Sequence, residues 1–399
     1  MGSNGVAITG MGIMSSIGKS VDENLSALLN RQHGISRVDN FKTKQRDSVW
    51  VGEIKCTNQD FRDVLSVPPV NNFTRTSLLG ILAAKQAVES AAVDVQDSYR
   101  TGVLSSTSVG GMDYTERYFY RYQKEPDLYP YITAHDAGDS SHKIADYLGI
   151  KGCVSTISTA CSSAANAIMM GARMIRAGRL DRVIVGGTDA LSKFTINGFK
   201  TLMILSDGFC KPFDDHRKGL NLGEAAAYLV LESEELVRRE NKKVLAYLSG
   251  FGNANDAFHQ TASSEDGEGA FLAMTKALHQ AGLQPESIDY VNAHGTATPN
   301  NDLSEGRALL RVFGDKMPVF SSTKAFTGHT LAAAAAVESV YSILSLQNQL
   351  VFPNLNFETP MHELTIQPAT EIIRKPLQHV LSNSFGFGGN CSTLIFSKA

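Results

Sequence analysis

The chain runs through an alternation of apolar strands and helix-spaced segments, and near residue 245 it begins the same alternation again. Gly5-Val6-Ala7-Ile8-Thr9-Gly10-Met11-Gly12 reads as a buried strand closing in a glycine turn. Ala246-Tyr247-Leu248-Ser249-Gly250-Phe251-Gly252 echoes it. The charged stretch 233–243 (SEELVRRENKK), a short helix and loop, lies between the two runs. A repeated order of elements predicts a duplicated α/β unit, with halves at 1–244 and 245–399.

Within the halves, helical spacing covers 21–30, 74–93, 139–150, 269–282, 303–313 and 330–347. Apolar runs at 102–107, 153–157, 183–187, 228–232, 288–294 and 318–322 read as strands. Gly178 is placed as a C-cap. Residues 36–70 mix charge, proline and short apolar runs, and are expected to be irregular. Residues 113–131 hold six tyrosines and a phenylalanine among charges, which fits a cap or a subunit contact.

Composition excludes several classes. A net charge of −3 gives no field for nucleic acid. Five scattered cysteines without a CxxC pair predict neither a disulfide framework nor a metal site, and fit a reducing, cytoplasmic setting. No signal peptide, membrane span or GxGxxG nucleotide fingerprint is expected.

Three polar stretches close apolar strands, where α/β folds place chemistry. Ser158-Thr159-Ala160-Cys161-Ser162-Ser163 leads into a small-residue helix. The free N–H groups of a first turn stabilise a thiolate and hold an oxyanion, so the Cys161 pKa is expected to fall. Asn292-Ala293-His294-Gly295-Thr296-Ala297-Thr298-Pro299 and Ser322-Thr323-Lys324-Ala325-Phe326-Thr327-Gly328-His329 are the others. A cysteine hydrolase needs one base; two histidines and a lysine suit a reaction that acylates a thiol and stabilises an enolate.

With Asn383-Ser384-Phe385-Gly386-Phe387-Gly388-Gly389-Asn390, these motifs make the chain resemble the β-ketoacyl–acyl carrier protein synthases, nearest the elongating enzymes of fatty-acid synthesis. The resemblance runs nearly end to end. It implies the thiolase fold, a five-layered αβαβα core that is usually homodimeric. It implies a decarboxylating Claisen condensation of a Cys161-bound acyl chain with malonyl-carrier. His294 and His329 would act as neutral N–H donors of lowered pKa, with Lys324 and Glu338 in support. The backbone N–H groups of Cys161 and Phe387 would form the oxyanion hole. Thr296 and Thr298 would meet the phosphopantetheine arm, which arrives on an acyl carrier protein, so no metal or diffusible cofactor is implied. Phe387 would gate a loop freed by Gly386, Gly388 and Gly389, beside Phe199 and Asp256.

The sequence departs from that pattern at several points. Val109 stands where a bulkier acyl-pocket residue is common, which implies more room. Thr133-Ala134-His135-Asp136 is more polar than usual, Cys153 stands for a proline and Ala225 for a glycine. The segment after Phe199 is short, and Pro68-Pro69-Val70-Asn71-Asn72 lacks the basic cluster that steers a carrier. These departures keep open a specialised ketosynthase of a polyketide or aryl-polyene type, with a dedicated carrier or a partner subunit. A chain-length factor would lack Cys161. A degradative thiolase would use a second thiol, for which Cys391 is the candidate.

Overall fold

The computed structural model describes residues 6–68 and 71–399. The start of the first predicted strand, and Pro69 and Val70 of the stretch expected to lack a basic cluster, lie outside them. Ten strands share one hydrogen-bonded sheet: β1 (Val6–Met14), β2 (Thr101–Ser106), β3 (Val154–Ile157), β4 (Arg182–Asp189), β5 (Ala225–Glu232), β6 (Ala246–Asn255), β7 (Tyr290–Asn292), β8 (Val319–Ser321), β9 (His379–Phe385) and β10 (Asn390–Ser397). Their spatial order is β8-β7-β9-β10-β6-β1-β5-β4-β2-β3.

Read outward from the β1–β6 junction, each half gives its first, fifth, fourth, second and third strand. The senses agree as well. The first and fifth strands pair antiparallel, as do the fifth and fourth, while the fourth, second and third are mutually parallel. The duplication seen as an order of elements is therefore a duplication of topology.

The helices also correspond. Helices α1 (Arg75–Ser90), α2 (Ala137–Leu148) and α3 (Ser163–Arg176) belong to the first half. After α4 (Lys193–Thr201), helices α5 (Glu268–Ala281), α6 (Pro299–Phe313) and α7 (Ala334–Asn348) repeat their positions. One core forms between α1, α2 and the first sheet half, and another between α5, α6 and the second. The largest joins α3 and α7 to strands of both halves. The layers are thus helix, sheet, helix, sheet, helix, the thiolase arrangement. Helices held between two sheet halves need small side chains. That need is met by Ala164, Ala165, Ala167, Gly171 and Ala172 in α3, and by Ala332 to Ala336 leading into α7, all buried.

The predicted glycine turn after the first strand is not there. β1 continues through Gly10 and Gly12 to Met14, with a shift of register between Ile8 and Gly10. A Cβ on Gly10 would lie 2.3 Å from the Ala87 carbonyl oxygen, and one on Gly12 2.2 Å from that of Ala83. Gly250 and Gly252 meet Ala277 and Ala273 of α5 in the same way, at 2.5 and 2.1 Å. The glycines serve close helix-on-strand packing, not a turn. The expected irregularity of 36–70 also gives way in part, because Asn58–Leu65 is a helix started by a Thr57–Asp60 capping box. Short helices Met112–Tyr118 and Tyr129–Thr133 organise the tyrosine-rich stretch, where Tyr114, Tyr118 and Tyr131 cluster and Phe119 and Tyr120 are exposed.

Candidate active site

Cys161 lies between β3 and α3, and His329 between β8 and α7. These are equivalent turns of the two halves, so duplication brings the starts of both central helices together. His294 follows β7, the equivalent of β2, which Ser108 and Val109 follow. Cys161, His294 and His329 line one cavity of about 300 Å3.

Ala160, at φ +52°, makes the sharp turn that presents Cys161 ahead of the helix. Burial pushes the thiol up to about 12, although the Lys324 ammonium and the Phe387 backbone N–H both favour the thiolate. The expected lowering by the helix start is therefore outweighed: at 6% exposure the sulfur has lost most of the water that would solvate an anion.

The two imidazole rings stand edge to face, their centroids 5.4 Å apart. Both are buried, and burial followed by the Lys324 charge holds each well below the usual 6.5. They rest neutral, as expected. Backbone N–H of Leu331 donates to His329 Nδ1 over 3.2 Å, which puts the ring proton on Nε2. Glu305, pushed up to about 7 by burial, accepts the backbone N–H groups of His294 and Gly295 at 2.9 and 2.8 Å and fixes that turn.

Lys324 lies under the histidines. Its Nζ donates to the His294 carbonyl at 2.5 Å and forms a buried ion pair with Glu338, whose other oxygen accepts from Ser384 Oγ at 3.3 Å. Burial raises the Glu338 pKa. Glu338 thus belongs to the polar network under the pocket and is not a plain helix carboxylate.

The remaining predicted residues divide between two chambers. Thr296 and Thr298 share a 2.8 Å hydroxyl hydrogen bond on the wall of the 300 Å3 cavity, with Asp256, Gly386, Gly388 and Gly389 nearby. Asp256 accepts from Ser264 N–H and Oγ and from Gly269 N–H, while its own N–H donates to the Gly389 carbonyl at 2.8 Å. A second cavity of about 550 Å3 is lined by Val109, Phe194, Gly198, Leu202 and Leu331. Cys161, Phe199 and Phe387 line both. The Phe199 and Phe387 rings stack at 6.1 Å between the chambers, and Gly388 and Gly389, at φ +84° and +81°, give the loop a backbone that other residues rarely adopt. Thr133, His135 and Asp136 are exposed and do not line the second cavity; Asp136 instead caps α2. Cys391 lines the first cavity, and burial raises its thiol pKa.

Reading the residues passed over Asp189. This buried carboxylate ends β4 and accepts Thr107 Oγ1 at 2.5 Å, Ser108 N–H at 3.0 Å and Ala332 N–H at 2.8 Å. It joins the Val109 loop to the start of α7. An acid closing the apolar strand Val183–Gly187 was the available signal.

Residues 3–236 match the family model described as beta-ketoacyl synthase, N-terminal domain, and residues 245–358 that described as beta-ketoacyl synthase, C-terminal domain. The chain belongs to the β-ketoacyl synthase family. This ketosynthase is 33% identical over 410 residues to 3-oxoacyl-[acyl-carrier-protein] synthase 2 of Vibrio cholerae, covering 98% of this chain and 99% of the relative. It is 34% identical over 408 residues to the Staphylococcus aureus protein of that name, covering 98% of each. Among solved structures it resembles the ishigamide ketosynthase/chain length factor, at a TM-score of 0.93 and 28% identity over the whole of both chains. It also resembles the ketosynthase ApeO in complex with its chain length factor ApeC from Xenorhabdus doucetiae, at 0.85 and 32%, covering 99% and 98%. As a ketosynthase the protein is an acyltransferase, and the thiolase reading of Cys391 falls away.

Proposed function

We propose that this ketosynthase elongates fatty acyl chains by decarboxylating condensation. The observation that supports this most is the convergence of Cys161, His294 and His329, two of them at equivalent turns, on one buried cavity. In the first half-reaction the Cys161 sulfur attacks an acyl-carrier thioester. The carrier's C–S bond breaks, and the thiol proton leaves with the pantetheine sulfur. The acyl chain enters the 550 Å3 chamber, and Thr296 and Thr298 receive the pantetheine arm. In the second, malonyl-carrier loses CO2. The electron pair of the broken C–C bond passes into an enolate whose oxygen accepts N–H from His294 and His329 Nε2. The enolate carbon attacks the Cys161 thioester, and backbone N–H of Cys161 and Phe387 hold the oxyanion. Collapse returns the thiolate and releases the β-ketoacyl-carrier. Lys324, paired with Glu338, holds the His294 turn through its carbonyl, and the Lys324 charge helps keep both histidines neutral.

The chain divides between 244 and 245 into a half carrying the nucleophile and a half carrying the histidines. It acts in the cytoplasm as a dimer, with itself or with a related subunit. Half-exposed β3 ends the sheet, and a twofold partner can add its own β3 there.

A specialised polyketide or aryl-polyene ketosynthase is the second reading. It is favoured by Val109 on the chamber wall and by Gly198, where an added Cβ meets nothing within 4 Å. Elongation of saturated and conjugated acyl-carriers with malonyl-carrier, read by product mass, decides between them. Turnover of saturated chains supports fatty-acid elongation; turnover of conjugated chains alone supports the second reading.

A further inference from the structure

One amide ties the gating loop to the helix that bears the nucleophile. Asn390 is the foot of the Gly386–Gly389 loop, and its backbone carbonyl accepts Gly386 N–H at 2.9 Å. Its side-chain Oδ1 faces three donors: Ser162 Oγ at 2.8 Å, Asn166 Nδ2 at 2.9 Å and Asn253 Nδ2 at 2.9 Å. Ser162 is the N-cap of α3, Asn166 lies near the start of that helix, and Asn253 is in β6. Asn166 Nδ2 also reaches Thr159 Oγ1 at 2.8 Å, so the cluster grips the chain on both sides of Cys161. Asn253 closes it with contacts to Asn166 Oδ1 at 3.1 Å and Ser392 Oγ at 3.0 Å. A carbonyl oxygen has two lone pairs, which the two amide donors can fill; the single Ser162 proton is shared with the Thr159 carbonyl at 2.7 Å.

The tip of the loop is held from the other side. Gly388 N–H donates to the Gln260 carbonyl at 2.7 Å, and Asn255 Nδ2 donates to the Gly388 carbonyl at 3.1 Å. Between tip and foot, Gly389 donates its N–H to the Gly386 carbonyl at 3.1 Å and accepts the Asp256 N–H at 2.8 Å. Where the Phe387 N–H points is therefore set by the bonds that flank it, at the tip, along Gly389 and at the foot. The foot reaches the nucleophile helix directly.

We propose that Asn390 is a positioning residue: its Oδ1 locks the foot of the loop to Ser162 and Asn166, and so keeps the Phe387 N–H on Cys161 and the phenyl ring between the chambers. The role rests on Cys161 being the acylated residue and Phe387 its gate.

The test is single-turnover acylation of the full chain by short and long acyl-carriers, followed by intact mass. Asn390→Leu keeps the bulk and removes the acceptor, whereas Asn390→Asp keeps the acceptor. Asn390→Leu should acylate about tenfold more slowly, part of the loss expected when an oxyanion donor is displaced. Its preference between short and long chains should narrow as the gate loosens, and Asn390→Asp should recover to within about threefold. If Asn390→Leu does not fold, Asn253→Leu removes the three Asn253 contacts to Asn166, Asn390 and Ser392 without altering a loop residue and should show the same slowing. Wild-type rates in the folded variant would overturn the role. So would a uniform loss that follows melting temperature, leaves the chain preference unchanged and is not rescued by Asn390→Asp. Acylation that persists in Cys161→Ala, or is indifferent to Phe387→Ala, would instead remove the assignment on which the role rests.

Discussion

Backbone N–H of Leu331 donates to Nδ1 of His329 across 3.2 Å, and that bond decides which ring nitrogen carries the proton. Nε2–H is left as a fixed donor on a ring that is only 2% exposed. A donor so placed polarises a thioester carbonyl without charging, which suits an enolate and not a hydrolytic base.

The pH dependence of decarboxylation follows. His294 and His329 are held well below 6.5 by burial and by the Lys324 charge, so both stay neutral as pH falls through that value. Malonyl-carrier decarboxylation should be level from about pH 8 through the ordinary imidazole range and fall only below it. A fall with its midpoint at the ordinary value would contradict the assignment. Stability has the matching sign. Below the ordinary imidazole range the unfolded chain takes up protons that the folded chain refuses, so unfolding free energy should drop as pH falls there. Replacing both histidines by glutamine should reduce that slope, as followed by denaturant titration.

Lys324 and Glu338 form an ion pair with both side chains 3% exposed. Removing one partner leaves a buried charge unpaired. Lys324→Met should cost about 3–5 kcal/mol, and Lys324→Met with Glu338→Leu should recover most of it. Urea melts of the single and double variants measure this; equal losses in the two would show that the pair carries no coupling.

The glycines of β1 and β6 make a paired prediction about the duplicated fold. Gly12→Ala and Gly252→Ala each drive a methyl into a helix carbonyl, of Ala83 and Ala273 respectively. Each should lose about 1–3 kcal/mol by overpacking, with no loss of activity in the molecules that remain folded. Two silent substitutions would mean that the helices can retreat from the strands.

Val109 contributes to the chamber that is to hold the acyl chain. Val109→Phe should lower loading of long chains on Cys161 at least about tenfold more than that of short ones, since chamber space is lost where the longer chain needs it. An equal loss for both lengths would take Val109 off the path of the chain.

Much of this was legible in the residues. Cys161, His294, His329 and Lys324 stood out because reactive side chains closed apolar strands in small, polar surroundings, and the structure gathers all four. The duplication was legible as an order of elements, although the role of its glycines was not. A turn and a close helix contact both call for a missing side chain, and sequence does not separate them. The Cys161 thiol went the other way from expectation because desolvation depends on burial, which spacing does not report. Asp189, Glu305 and the Asn166–Asn253–Asn390 cluster stayed hidden for another reason. Each acts by hydrogen bonds to groups 10 to more than 200 residues distant in the chain, and even Asn390, which ends a quoted motif, shows nothing of those partners in its sequence neighbours.

In the proposed reaction Cys161 carries the growing chain and passes it to a malonyl-derived enolate. Intact mass of the protein after incubation with acyl-carrier, and again after addition of malonyl-carrier, tests it most directly. The wild-type chain should carry an acyl adduct that Cys161→Ala lacks and that discharges as the β-ketoacyl-carrier when malonyl-carrier is added. An adduct that persists in Cys161→Ala, or one that malonyl-carrier leaves in place, would contradict it.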